Sequence, residues 1–212
     1  ILIGLVGSEM CIRDRSTAKS PQQMFGAVAK TWLAQRLGCD PKDIFSISIM
    51  PCVAKKAECE LPGMQSVPDA GNDVDLVLTT REFARMARAE HIDVPHLEES
   101  PFDTPLGAGT GAGVIFGATG GVMEAALRTA YEYLTGEPAP QTLLQLNPVR
   151  GYEGVREAQV NIGELTFQGA VVYGTANART FLQRMKDSGK QYHFVEVMAC
   201  PGGCIGGGGQ PK

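Results

Sequence analysis

Two cysteine-bearing segments have the residue types for thiolate or metal chemistry. The first is MPCVAKKAE, residues 50–58. Cys52 follows a proline that fixes the backbone, and Lys55 and Lys56 stand three and four residues on. Ammonium groups beside a thiolate lower its pKa and favour metal ligation or nucleophilic attack. The same lysines suit the anionic ligands of a metal. A small buried cysteine with solvated lysines fits the spacing equally well. The second segment is EVMACPGGCIGGGGQP, residues 196–211, in which Cys200 and Cys204 form a C-x3-C pair around Pro and two Gly. Glycines let a backbone wrap closely and aim N–H groups at sulfur or phosphate. Such donors stabilise thiolates and tune iron–sulfur centres. A C-x2-C zinc knuckle is not matched, and His193 stands seven residues before Cys200. The pattern points to a ligand pair for a metal or iron–sulfur group, with a disulfide loop or two inert thiols as the alternative.

Other motifs carry less. GAGTGAGVIFG, residues 107–117, has glycine spacings near the dinucleotide fingerprint, but no strand precedes it. Close packing of its backbone against another element, or against a cofactor, is the favoured reading. Thr79, Thr80 and Arg81 could form an anion nest, but helix capping accounts for the threonines. Glu124 and Arg128 are spaced i,i+4 for an ion pair. Cys11, Cys39 and Cys59 have no comparable setting, although the glutamates flanking Cys59 would raise its pKa. His91, His96 and His193 are scattered and take core or surface roles.

The elements that must position these groups are legible from residue 16 onward. Residues 1–15 combine ILIGLVG with SEMCIRDR, which has neither helical stripe nor strand alternation, and read as an atypical leader foreign to the rest of the chain. Ser20, Pro21 and Gln23 predict a capping box opening a helix. Met24, Phe25, Val28, Trp32 and Leu33 form its apolar stripe, and Gly38 stops it. In IFSISIM (44–50), Phe45, Ile47 and Ile49 alternate with serines, predicting a strand with one polar face. VDLVL (74–78) predicts a more buried strand. Thr79 and Glu82 make a second capping box for a short helix carrying Phe83 and Met86. Residues 91–105 read as loop, and 107–121 as a glycine-rich bend into the helix VMEAALRTAYEYL, stopped by Gly136. Residues 157–162 and 165–173 predict paired strands about Gly163-Glu164, 176–186 a helix, and 193–198 a strand. Strand and helix alternate, so the fold class is α/β. Ligands of open α/β sheets sit beyond the carboxyl ends of strands, which would bring Cys52, Cys200 and Cys204 toward one cleft.

Composition bounds the function classes. The 212 residues can bury a core without disulfide staples. With 19 basic and 23 acidic residues and no basic cluster, nucleic acid is not an expected partner. No apolar run approaches the roughly 18 residues of a membrane span, and ILIGLVG lacks the basic n-region of a signal peptide. Six cysteines in so long a chain are not a secreted disulfide framework.

MPCVAKKAE and EVMACPGGCIGGGGQP together resemble the second and third signature motifs of the large subunits of iron-only, or [FeFe], hydrogenases. STAKSPQQMFGA (16–27), TTRE (79–82) and GAGVIFGATGGVMEAALRTA (111–130) resemble the same family, so the likeness covers residues 16–212. The resemblance implies a two-lobed α/β domain with mixed sheets flanked by helices. It implies an H-cluster, a [4Fe–4S] cubane joined through cysteine to a diiron subcluster bearing CO, cyanide and a bridging azadithiolate, which interconverts H2 with two protons and two electrons. On that likeness Cys52 and Cys200 ligate the cubane and Cys204 also bridges to the diiron unit. Lys55 hydrogen-bonds an iron-bound cyanide, as a cation would a bound anion. Met50 and Met198 pack beside the diiron unit, where soft thioethers suit, and Glu58 is structural. Phe116 and nearby glycines line the pocket, Ser16 falls in the proton relay, and Ser20 and Gln22 lie near the diiron unit.

The family's first signature, threonine-serine-cysteine-cysteine-proline-x-tryptophan, is absent, and Cys11 does not replace it. That motif supplies the fourth cubane ligand and a proton-shuttling cysteine. The chain therefore reads as an N-terminally truncated, incomplete domain over 16–212, with exposed apolar surface expected and no normal H-cluster on its own. The expected partners of its parent are ferredoxin or another electron carrier, further iron–sulfur domains or subunits, and hydrogenase maturation proteins. An anaerobic cytoplasm is the expected compartment. The alternatives are an H2-sensing or non-catalytic hydrogenase-like iron–sulfur protein, such as a cluster-assembly or prelamin-binding relative, and a non-catalytic α/β interaction module. A nucleotide-binding enzyme comes last.

Overall fold

The computed structural model describes residues 18–149 and 153–211. The foreign-leader reading of 1–15, Cys11 and Ser16 lie outside the described residues. The chain divides into two compact units, one of Ala18–Ala108 with the segment from Gly207, the other containing Gly109–Gly206.

In the first unit, Pro21 opens α1 (Pro21–Val28), which runs through a π-helical turn (Ala29–Leu33) into α2 (Ala34–Leu37). Gly38, at φ 67°, ends it as expected. The face that packs is not the expected one. Gln22, Gln23, Gly26, Ala29, Lys30 and Ala34 are buried, whereas Met24, Phe25 and Trp32 are exposed. The reason is close backbone approach: a Cβ at Gly26 would lie 2.5 Å from the Asp73 carbonyl oxygen. Lys30 on the same face donates to Asp75 at 2.7 Å and to the Ala70 carbonyl at 2.8 Å. The capping box at Ser20 does not form. Ser20 makes no side-chain cap bond, because it and Gln23 are turned into the interior.

β1 (Ile47–Met50) and β2 (Leu76–Thr79) pair in parallel, Ile47 opposite Leu76 and Met50 opposite Thr79. Here too the expected sides are reversed. Phe45, Ile47 and Ile49 are exposed, while Ser48 is half-buried and donates to Gln22 Oε1 at 2.8 Å. β2 is buried only at Val77 and Thr79. Each strand delivers its end into a helix, β1 into α3 (Ala54–Glu58) and β2 into α4 (Thr80–Ala89). The predicted capping box at Thr79 and Glu82 is present.

The second unit holds a four-stranded sheet in the order β3 (Asn147–Pro148), β4 (Val155–Ile162), β5 (Leu165–Tyr173), β6 (Phe194–Met198). β4 and β5 form the expected hairpin, with Ile162 opposite Leu165 across Gly163-Glu164. β6 pairs with β5 in parallel after the crossover helix α7 (Thr175–Ser188). Alternation along β5 sends its buried residues to opposite faces. Ala170 and Val172 pack with Val155, Val197 and the α7 residues Ala178 and Phe181. Val171 packs with Val160, Ile162 and Met123 and Leu127 of α6 (Gly121–Thr135). The sheet is thus covered on both faces, and Gly136 ends α6 as expected. The glycine-rich bend contains a short helix not anticipated from sequence, α5 (Gly111–Ile115). The mixed α/β fold class is as expected.

Candidate functional site

Cys52 belongs to the first unit and sits in the turn between β1 and α3, half-buried. Its carbonyl accepts the Lys55 N–H at 3.3 Å. The glycine run near the C-terminus braces this turn. Gly209 N donates to the Pro51 carbonyl at 2.7 Å, and its own carbonyl accepts Arg81 N at 3.1 Å. Added Cβ atoms at Gly207 and Gly209 would meet the Pro51 carbonyl oxygen at 2.5 and 2.9 Å. Only glycine permits that approach. Arg81 also donates to the Gly208 carbonyl. The turn is therefore held between the glycine segment 207–209 and the first turn of α4.

Lys55 is buried, and its ammonium meets Glu58 Oε2 at 2.5 Å. Lys56 is directed outward to Glu82 at 2.7 Å, tying α3 to α4. Lys56, with the Thr79 N–H and hydroxyl, draws the Glu82 carboxyl down to about 2. Gln22 is buried and its amide nitrogen approaches the Lys55 carbonyl at 3.5 Å. Met50 packs on Cys59, Val74 and Val77. Burial, then Glu60 and Glu58, push the Cys59 thiol up; the flanking acids noted in the sequence are secondary to burial.

Cys200 and Cys204 belong to the second unit, both half-buried, in the loop that leaves β6. Met198, at the end of β6, is buried, and its carbonyl accepts Gly174 N at 2.8 Å. The loop lies along residues 117–119, which join α5 to α6. Gly203 forms a bridge with Ala118. Thr119 N donates to the Gly202 carbonyl at 3.3 Å and Ile205 N to the Gly117 carbonyl at 3.2 Å. Gly203 has φ 89°, and a Cβ there would lie 2.3 Å from the Gly117 oxygen. The backbone-packing reading of the glycine bend thus holds for Gly117, Gly120 and Gly121, whereas Gly107, Gly109, Gly111 and Gly113 face open space. Phe116, half-buried, ends α5 beside this contact.

Glu196 is not singled out by sequence. It is 1% exposed on β6, on the face that α6 covers. Its carboxylate accepts Gly120 N at 2.6 Å and Met123 N at 2.7 Å. Burial pushes its carboxyl up, against the pull of the Met123, Gly120 and Val122 amides. An acid inside the apolar run FVEVM is the available signal.

The donor set suits a sulfur-ligated iron group. Cys39, Cys52, Cys59, Cys200 and Cys204 hold no disulfide, and two glycine-braced turns present three of them. Soft thiolates select iron–sulfur clusters. Ser20 Oγ and Thr119 Oγ1 are buried without a hydrogen-bond partner among the described residues. Such orphaned hydroxyls are rare unless something else satisfies them. Within neither unit do three His, Cys, Asp or Glu side chains converge among the described residues. His91, His96 and His193 form no ligand set, His96 pairing with Asp93 and His193 Nδ1 accepting Gln168 N. Glu124 and Arg128 form the expected ion pair at 2.8 Å.

Comparison with known proteins bears on the same segments. The family described as "Iron only hydrogenase large subunit, C-terminal domain" matches residues 8–208. The chain is 51% identical over 196 residues to the NADP-reducing hydrogenase subunit HndD of Solidesulfovibrio fructosivorans, covering 92% of this chain and 33% of that protein. It is 35% identical over 200 residues to the cytosolic iron–sulfur assembly component 3 of Mus musculus, covering 93% of this chain and 42% of that protein. A solved [FeFe]-hydrogenase from Chlamydomonas reinhardtii, the E141Q variant of HydA1, superposes with a TM-score of 0.77 at 38% identity, over 93% of this chain and 56% of that one. The chain thus spans about a third of the first relative and little more than half of the algal enzyme. Among the described residues no helix is long and apolar enough to cross a membrane.

Proposed function

The chain belongs to the iron-only hydrogenase large subunit family, and from that premise we propose that it is the C-terminal part of the catalytic domain of an [FeFe] hydrogenase. On this reading Cys52, Cys200 and Cys204 would be three of the thiolates that hold the cluster, and Cys204 would also hold its diiron unit. When bound, the H-cluster supplies the interconversion of H2 with two protons and two electrons. The observation that carries the proposal is that MPCVAKKAE and ACPGGC are each held as a preformed, glycine-braced turn presenting cysteine.

The chain's own residues do the rest. Cys52 is held by the Pro51 turn, and Cys200 and Cys204 by the loop on residues 117–119. Lys55 keeps a buried ammonium in place through Glu58, ready to donate to an anionic iron ligand. Gln22 and Ser48 support the Lys55 segment from α1 and β1. The buried hydroxyl of Ser20 is available to a bound group. Phe116, Met50 and Met198 provide apolar and thioether surface that excludes water. Ser16 would serve the proton relay.

The fourth ligand and the rest of the relay belong to the remainder of the parent, and the family match covers residues 8–208 of this chain. The exposed Ile47 and Ile49 of β1 support this reading, since a parallel sheet is normally covered on both faces. The partners of the parent are an electron carrier such as ferredoxin, further iron–sulfur domains or subunits, and maturation proteins; its compartment is the cytoplasm. A second reading, an iron–sulfur assembly relative without H2 turnover, is favoured by the 35% identity to the assembly component. The test is H2 evolution by the parent-length polypeptide after anaerobic maturation, with reduced methyl viologen as donor. Turnover abolished by Lys55→Met and Cys204→Ala supports the hydrogenase. Full iron loading without turnover in either direction favours the assembly relative.

A further inference from the structure

We propose that Glu196 is a positioning residue for Cys200 and Cys204: its carboxylate fastens the end of β6, and the loop carrying both thiols, to the first turn of α6. The inference rests on the reading of those cysteines as cluster ligands. The N-cap of α6 is Gly120, which has no side chain to satisfy the first amides of the helix. Glu196 supplies that cap from the neighbouring strand, through Gly120 N at 2.6 Å and Met123 N at 2.7 Å. A carboxylate only 1% exposed is costly to bury. It is retained here because each oxygen accepts a charge-assisted bond.

The clamp is continuous with the cysteine loop. Glu196 holds residues 120–123, and the loop holds residues 117–119 through Thr119 N to Gly202 O, Ile205 N to Gly117 O and the Ala118–Gly203 bridge. Residues 117–123 are therefore fastened to residues 196–205 along their length. Gly121 leaves no slack, since a Cβ there would lie 1.7 Å from the Ile115 oxygen. If the carboxylate is lost, the α6 amides are orphaned and the anchor of the loop shifts with them. Cys52, in the other unit, has no part in this clamp.

The experiment uses the full chain without iron and reads alkylation rates of Cys200 and Cys204 against Cys52 by mass spectrometry. In Glu196→Gln one oxygen is kept and an NH2 group is set against an amide N–H. The expected result is at least a fivefold rise at Cys200 and Cys204 with less than a twofold change at Cys52. Phe181→Ala, compared at denaturant concentrations that match the two variants in stability, should leave that ratio at the wild-type value. An unchanged ratio in Glu196→Gln, or an equal rise in Phe181→Ala, overturns the proposal. A second measurement needs no variant. In the wild-type chain the amides of Thr119, Gly120, Met123 and Ile205 should exchange through one opening, with protection factors within threefold. Protection of Thr119 and Ile205 tenfold below that of Gly120 and Met123 overturns it as well. Neither readout requires iron, so failed iron uptake would count against the cluster reading alone.

Discussion

Gly203→Ala tests whether the cysteine loop is held by backbone contact or merely turns there. Gly202 and Gly203 both have left-handed φ, 81° and 89°. A Cβ at Gly202 meets nothing within 4 Å, whereas one at Gly203 would lie 2.3 Å from the Gly117 oxygen and 2.8 Å from the Ala118 carbonyl carbon. Gly202→Ala should therefore cost only the left-handed conformation, about 1–2 kcal/mol. Gly203→Ala carries the same cost and must also push two backbones apart. The bonds from Thr119 N and Ile205 N are then lost, at about 1 kcal/mol each. The total is about 3–4 kcal/mol, which is two to three decades in a local opening equilibrium at about 1.4 kcal/mol per decade. Amide exchange of Thr119 and Ile205 reads it directly. Gly202→Ala should accelerate both by about tenfold and Gly203→Ala by several hundredfold, up to the limit set by global unfolding. Equal acceleration in the two variants would refute the close-contact argument.

Thr79→Ala removes the N-cap of α4 and should cost about 1 kcal/mol, seen as faster exchange at the Glu82 amide, with the parent rate contradicting it. Glu82 should titrate near 2 rather than near its ordinary 4.5. Because the folded value is depressed, its stabilising contribution is present above pH 4.5 and is lost as pH falls toward 2. Side-chain NMR titration gives the midpoint, and Glu82→Gln should flatten that part of the acid-stability profile. Phe181→Ala empties a site packed on Val155, Ala170 and Val172 and should cost about 3–5 kcal/mol. Faster exchange at the Ala170 and Val172 amides is the readout.

The parts of the fold legible in sequence are those where local chemistry and packing agree. The Thr79–Glu82 box, the turn at Gly163-Glu164 and the Gly38 and Gly136 stops depend on a few adjacent residues, and all are present. In the first helix and β1 the sequence misleads on one point, which face is buried. Periodicity assigns the apolar stripe inward, but Gly26 against Asp73 and Lys30 against Asp75 and Ala70 bring the opposite face in. A glycine contact and a buried ion pair leave no apolar pattern to read. Cys52, Lys55, Cys200 and Cys204 stand out in sequence because cysteine beside lysine, proline and glycine is chemically unusual. Glu196 does not, because its partners are amides of Gly120 and Met123, more than 70 residues away.

The central claim is that Cys52, Cys200 and Cys204 ligate one iron–sulfur group. Anaerobic reconstitution of the parent-length polypeptide with iron and sulfide tests it most directly, with bound iron counted and the sulfur-to-iron charge-transfer absorption recorded. The account predicts uptake that falls at least fivefold in each of Cys52→Ala, Cys200→Ala and Cys204→Ala and is unchanged in Cys39→Ala and Cys59→Ala. No uptake by the wild-type parent-length polypeptide, or uptake indifferent to the three cysteines, would contradict it.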